Sequence, residues 1–408
     1  MRDQQASHYF GLDIGTSTVR CIVGMIDSSD AKPSIIGVGT APNVGMRKGT
    51  VVHIDDVVES VVQAITEAER VSGIHVQNAT VNINGSHVSG MNSRGVIAIS
   101  AANREITQDD RLRVEEAATI VQLPANREII QVFAKNYRLD GQENIKDPVG
   151  MHGVRLEVDT HIVTAATPSL RSLDMVLERA HVMPSHHAVS ALAAAEAVLS
   201  RQQKESGTLL LDMGAGTTGM VVIEDGEVQH VAVLPMGGIN VTNDLAIGLK
   251  TDLDIAEQIK LKHASLEKNK KSGVVELVVN GQQHTFVADD IHMIVEARIE
   301  ELFEYVDKEL KKIHRSRKLP GGVVLVGGAA KVPGMAEYAK EKLQLASRIG
   351  KLQPVSGLVD VVSDPSYATV VGLMSLDMLL PNGDVAYTEA PGAGMLGFVD
   401  GIIRKFKK

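Results

Sequence analysis

Asp13-Ile-Gly-Thr-Ser-Thr18 and Asp212-Met-Gly-Ala-Gly-Thr-Thr218 are two versions of one short phrase, one in each half of a chain of 408 residues. The first interrupts an apolar strand pattern over residues 8–25. The second lies between the run Leu209-Leu210-Leu211 and a β-prone stretch at 220–223. Gly and hydroxyl residues between two β-prone runs predict a hairpin turn. Gly also lets backbone N–H groups come close to an anion, and Ser and Thr hydroxyls add donors. An Asp at the end of each strand can hold a hydrated Mg2+, which binds through one or two carboxylates plus phosphate oxygens. One such turn is common in plain hairpins. Two matched copies predict a phosphate gripped between two hairpins in a cleft, and the GxxxxGK[ST] pattern of a P-loop is absent.

Working outward, the chain predicts strands at 35–38 and 50–53, then a helix beginning at Ile54-Asp55-Asp56. That helix would take Asp as its N-cap, show Val57, Val58, Val61, Val62 and Ile65 on one face, and end before Gly73. A strand at 78–84 follows. Residues 85–165 change texture, with a short strand at 95–100, a helix at 108–120 capped by Thr107, and a polar Gly/Asp-rich segment at 138–153. They predict a small inserted α+β unit. A helix at 169–180 and an Ala-rich helix at 189–199 return to the main pattern before the phrase repeats. Residues 250–281 are polar, Lys-rich and expected to be helical, 289–317 form one long helix, 319–334 a strand running into a Gly-rich turn, and 367–380 a closing helix. The expected division is 8–84 with 166–200 as a first half joined by the closing helix, and 85–165 as an insertion. The second half has a core of 201–235 with 318–366 and a subdomain of 236–317; a linker at 381–394 precedes the tail.

Composition narrows the function. Apolar residues make up 44% and charged ones 22%, as in a soluble globular protein. A formal charge of −9 argues against a nucleic-acid-coating protein, which neutralises phosphates with Lys and Arg. The one cysteine, Cys21, cannot form an internal disulfide, and no signal peptide is evident, so a reducing cytosol is expected. No apolar run approaches the roughly 20 residues of a spanning helix. The 14 histidines form no zinc pattern.

The last residues depart from this picture. Met395, Phe398, Val399, Ile402, Ile403 and Phe406 recur at helical spacing and make one apolar stripe, while Arg404, Lys405, Lys407 and Lys408 crowd the polar side and the end. A helix of this kind lies in a membrane interface rather than spanning it. Each cation near an anionic leaflet contributes about 1 kcal/mol.

A third Gly element, Val323-Val-Leu-Val-Gly-Gly-Ala-Ala-Lys-Val-Pro-Gly334, puts a double Gly at a strand end, where backbone can approach a base or ribose. With the two hairpins, the Ala-rich helix and Ala368-Thr-Val-Val-Gly372, it makes the chain resemble the actin, Hsp70 and sugar-kinase superfamily. Within that group it is similar to the bacterial cell-division family FtsA. The discriminating residues are the insertion, Leu234-Pro-Met-Gly-Gly-Ile-Asn-Val-Thr-Asn-Asp-Leu-Ala246, Ile255-Ala-Glu-Gln-Ile-Lys260 and the basic tail.

The resemblance implies an α/β, actin-like two-half fold with an SHS2-like α+β insertion in the first half and a C-terminal amphipathic helix. It implies ATP and Mg2+ in the cleft. Gly15, Thr16, Ser17 and Thr18 would form the first phosphate loop, and Gly214, Gly216, Thr217 and Thr218 the second. Asp13 and Asp212 would sit on the Mg2+ side. Gly327, Gly328 and Ala329 would flank adenosine, and Gly237, Gly238, Glu257 and Lys260 would reach the nucleotide from the second half. Where actins and chaperones carry a water-orienting Gln or Glu, at the expected start of the Ala-rich helix, this chain has Ser185-His186-His187; ATP hydrolysis is therefore expected to be weak or absent. Further implied are a filament of this chain, and recruitment of other division proteins through 85–165. The FtsZ C-terminal peptide would dock on the long helix near Arg298, and the location would be the cytoplasmic face of the inner membrane at the division site. A sugar or acid kinase of the same superfamily is the alternative, and it lacks a convincing Asp base; an Hsp70-like chaperone would need a further peptide-binding domain.

Overall fold

The computed structural model describes residues 7–26, 32–268, 273–279 and 281–380. In chain order the first half contains β1 (Ser7–Ile14), β2 (Thr18–Ile26), β3 (Ser34–Pro42), the two-residue strands β4 (Met46–Arg47) and β5 (Thr50–Val51), α1 (Ile54–Ser72) and β6 (Asn78–Ile83). Next come β7 (Ser89–Ala98), α2 (Gln108–Thr119), β8 (Arg127–Leu139), β9 (Gln142–Ile145) and β10 (Arg155–Ala166). The chain returns through α3 (Thr167–Arg179), β11 (Met183–Val189), α4 (Ser190–Val198) and α5 (Arg201–Ser206). The second half has β12 (Thr208–Met213), β13 (Thr218–Glu224), β14 (Glu227–Leu234), α6 (Gly238–Gly248), α7 (Leu253–His263), β15 (Val274–Val279), β16 (Gln282–Val287), α8 (Ala288–Lys312), β17 (Gly322–Val326), α9 (Met335–Leu343) and β18 (Ser347–Ile349). Finally β19 (Ser356–Gly357), α10 (Val359–Val362) and α11 (Ala368–Leu379) cross back.

The duplication read from two turns extends to whole sheets. One sheet contains the order β3-β2-β1-β6-β11, and the other β14-β13-β12-β17-β18. In both, the first three strands form an antiparallel meander and the last two add in parallel. β12 is buried on both faces, so it is a continuous apolar run rather than an alternating one. Leu210 faces the core shared with the first half, and Leu209 and Leu211 face the core under α6 to α9. Helices α4 and α11 pack between the sheets, and Gly372 of α11 lies against the Ala193 carbonyl so tightly that a Cβ there would stand 1.8 Å away. This crossing explains the Ala-rich and Gly-containing helices: only small side chains let the backbones meet.

The segment carrying β7 to β10 has its own core around Val114, Tyr137 and Leu156. Its sheet, in the order β7-β10-β8-β9, extends the second-half sheet through one bridge, Ser89 to Ala232. Thr107 caps α2 in a reciprocal box with Asp110, as the sequence predicts. Three readings are corrected. The N-cap of α1 is His53, and Asp55 and Asp56 lie in the first turn, where carboxylates complement the helix dipole. The stretch expected to be helical to 281 is helical only in α7 and then turns into the β15–β16 hairpin, whose Val275, Leu277 and Val279 face inward at period two. The long β8 was not anticipated; pairing with β10 on one side and β9 on the other organises residues that look polar in isolation. Cys21 is fully buried in the core, which pushes its thiol up to about 12. The linker at 381–394 and the amphipathic tail at 395–408 lie outside the described residues.

Candidate functional site

The two hairpin turns close with the same bond. Gly15 N–H donates to the Thr18 carbonyl at 3.1 Å, and Gly214 N–H to the Thr217 carbonyl at 2.9 Å. They face each other across a cavity of about 540 Å³ between the halves, a volume suited to a nucleotide-sized ligand. The structure brings Asp13, Gly15, Thr16, Ser17, Thr18, Asp212, Gly214, Thr217, Thr218, Gly237, Gly238, Glu257, Lys260, Gly327, Gly328 and Ala329 into its lining.

Gly216 is not in that lining. It is buried at the seam between hairpins, and a Cβ there would stand 2.7 Å from Thr16 Oγ1. A side chain at 216, a position expected in the second phosphate loop, would therefore meet the opposing hairpin. Gly328 is the opposite case, since a Cβ there meets nothing within 4 Å. Gly237 must be Gly for a close approach, because a Cβ would fall 2.6 Å from the Gly214 and Ala215 carbonyls. Those carbonyls accept from Gly238 and Ile239 N–H, so the start of α6 is latched to the second hairpin. Lys260 secures the same helix, donating to the Gly238 carbonyl at 3.2 Å, Thr242 Oγ1 at 2.9 Å and Glu257 at 2.7 Å.

The ends of β1 and β12 carry the two aspartates. Burial pushes the Asp13 carboxyl up to about 7, with Arg20 opposing and Asp212 adding to the rise. Asp212 is raised by burial too, opposed by a 3.0 Å hydrogen bond from Thr369 and by Arg20. Two desolvated carboxylates, one from each half, thus line the same cavity as oxygen donors whose charge a cation would offset. Among the described residues no group of three or more His, Cys, Asp or Glu is placed to hold a metal. The donor set fits Mg2+ with its waters and phosphate ligands, not an all-protein cage. Asp13 and Asp212 would hold it.

Several lining residues escaped sequence reading. Arg20 sits opposite Asp13 in the β1–β2 register, donates to Ser366 Oγ at 3.3 Å, and stacks over Tyr367 at 5.1 Å. Its signal was available: strand pairing across a tight turn puts residue 20 beside residue 13. Asn84, Ser190, Thr369 and the apolar wall of Leu261, Ile299, Leu302 and Pro333 carry no local signal, because distant elements bring them together. His186 and His187 are on strand β11, not at the start of α4, and neither lines the cavity; parallel pairing with β6 extends them. Ser190 begins α4 and reaches the cavity instead. Arg298 also lines the cavity, held by Asp244 at 2.5 and 3.0 Å and by Glu301 at 2.5 Å.

A family model described as cell division protein FtsA matches residues 209–372, and one described as the SHS2 domain inserted in FtsA matches 85–164. The FtsA of Pseudomonas aeruginosa is 37% identical over 91% of this chain and 89% of its own length. The FtsA of Bacillus subtilis is 38% identical over 90% and 82%. The chain belongs to the FtsA family. The FtsA fold places it among actin-like structures. The PilM-PilN type IV pilus biogenesis complex aligns at a TM-score of 0.62 with 17% identity, covering 90% of this chain and 98% of that one. MreB5 of Spiroplasma citri bound to ADP aligns at 0.51 with 14% identity over 90% and 94%. The MamK double helical filament aligns at 0.52 with 13% identity, covering 92% of this chain and 99% of that one.

Proposed function

We propose that this FtsA-family chain binds ATP with Mg2+ between its halves, assembles into a filament, and tethers the FtsZ ring to the cytoplasmic membrane at the division site. The observation that carries the reading is the pair of matched hairpins, each ending a strand in Asp and facing the other across one cavity. In this reading the Thr16, Ser17 and Thr217 hydroxyls and the turn N–H groups not used in closing the hairpins take the phosphates, while the Thr218 hydroxyl, which donates to the Met236 carbonyl at 2.8 Å, holds the second turn in place. Arg20 supplies a cation beside the two aspartates. Mg2+ would screen charge between the aspartates and the phosphates. The Gly327-Gly328 backbone and the apolar wall from α7 and α8 flank the base. An ADP-bound MreB5 and a filamentous MamK share the fold and support both ligand and assembly.

The titratable side chains lining the cavity are Asp13, Arg20, Asp212, Glu257, Lys260, Arg298 and Lys331. With Asp13 and Asp212 given to Mg2+ and Glu257 tied to Lys260 and Thr242, no carboxylate among the described lining residues is left over as a base, which supports a reading of slow hydrolysis. In this reading the FtsZ C-terminal peptide docks on α8 away from Arg298, which lines the cavity and is paired with Asp244 and Glu301. Other division proteins and self-assembly use 85–165, and lipid takes the basic tail. Titration calorimetry with ATP and Mg2+ tests the cleft. Gly328→Asp should weaken binding about tenfold or more, because its carboxylate enters the cavity with nothing else to displace. Unchanged affinity would reject the assignment.

A further inference from the structure

The inserted segment leaves the first half at a point wedged between the two hairpins. Asn84, the residue before it, lines the cavity. Its amide is used at both ends: Nδ2 donates to Thr217 Oγ1 at 3.1 Å, and Oδ1 accepts from Gly85 N–H at 2.8 Å. Thr217 belongs to the second hairpin, and Gly85 is the first residue of the SHS2 match. The first hairpin reaches the same spot by another route. Thr16 Oγ1 accepts from Gly49 N–H at 3.1 Å, and a Cβ on Gly49 would stand 2.6 Å from the Gly85 backbone. Both glycines have left-handed φ, +73° and +121°, so this approach tolerates no side chain. Four residues later Ser89 begins β7 and bridges to Ala232 of the second half.

We propose that Asn84 is a positioning residue that couples filling of the phosphate site to the way residues 85–164 are held. This rests on the reading of the cavity as a nucleotide site. Asn84 occupies one lone pair of Thr217 Oγ1, so the hydroxyl hydrogen remains free to turn toward a phosphate oxygen without breaking the link. A phosphate gripped by both hairpins fixes their separation, and Gly85, tied to the second hairpin through the Asn84 amide and packed against Gly49, which donates to Thr16 of the first, follows that separation. The two sites are the cleft and the inserted region, and the two states are the wider and narrower seam between hairpins.

Hydrogen exchange on the full chain, with and without Mg2+ and a slowly hydrolysed ATP analogue at saturation, tests this. In the native protein, amides of both hairpins should slow, and amides of 85–99 should change rate by about threefold or more. Asn84→Ala should keep the hairpin response and lose the response at 85–99. Thr217→Val, which also removes a phosphate donor and so weakens binding, should do the same once the analogue is raised to saturate its weaker site. Thr217→Ser, which retains the acceptor oxygen, should restore it; a role limited to stability would not separate Ser from Val in this readout. Should Asn84→Ala fail to fold, the two Thr217 variants decide. A native chain whose hairpins respond while 85–99 does not would overturn the coupling, as would a retained response in Thr217→Val. A native chain whose hairpins do not respond would remove the nucleotide reading, and the coupling with it.

Discussion

Gly216 and Gly328 look alike as members of Gly-rich turns, yet a methyl group added to each meets different surroundings. At 216 it would press on Thr16 Oγ1 at 2.7 Å, and at 328 it would enter open cavity. Gly216→Ala should therefore destabilise the fold by about 1–2 kcal/mol, while Gly328→Ala should stay within about 0.5 kcal/mol. Urea unfolding of the two variants checks this; equal losses would show that the seam between hairpins relaxes freely. Local pattern identified both positions as glycines of a turn. Which one faces ligand and which faces protein depended on how the second half sits against the first.

At the scale of elements, the crossing of α4 and α11 and the joint between β10 and β14 make distinct predictions. Gly372→Ala would put a Cβ 1.8 Å from the Ala193 carbonyl, a contact with backbone that only a shift of the helices can relieve. Overpacking of this kind costs about 1–3 kcal/mol, and the thermal midpoint should fall accordingly. The second joint is polar. His161 Nε2 accepts from Val231 N–H at 3.0 Å and its ring lies 5.5 Å from that of His230, which contacts Glu309 at 3.1 Å. Burial lowers both imidazoles below their usual 6.5, for His161 well below, with Lys135 nearby and Lys312 also near His230. Glu309 opposes the fall at His230, but both rings still hold their protons less well folded than unfolded, so they take up protons on unfolding as pH drops below 6.5. Their contribution is full above pH 6.5 and is lost as pH falls through the folded values. His161→Gln keeps an acceptor without the titration, so its melting temperature should fall less than the native one between pH 7 and 5.5. Parallel slopes would exclude His161 as a source of acid sensitivity.

At the scale of the molecule, charge separates body from tail. Arg404, Lys405, Lys407 and Lys408 contribute +4 to a net charge of −9, leaving −13 on the remainder. An acidic body is repelled by an anionic leaflet, so lipid binding should depend on residues 395–408. Their removal should abolish sedimentation with anionic liposomes, and added salt should weaken binding of the intact chain. Pelleting unaffected by truncation would sink the anchor. Among the described residues no helix is long and apolar enough to cross a membrane.

The amino-acid sequence alone determined the duplicated strand-turn-strand units, the insertion between them, the Thr107 cap, and the two hairpin turns and double-Gly loop that line the cleft. These are legible because turn chemistry and hydrophobic period are local properties of a few neighbouring residues. Tertiary structure decided the rest. It set Arg20 beside two buried aspartates, turned Gly216 toward Thr16, placed His186 and His187 on a strand away from the cavity, and put Asn84 between both hairpins. Each of those outcomes depends on the distance between segments far apart in the chain, and packing between the two halves sets that distance.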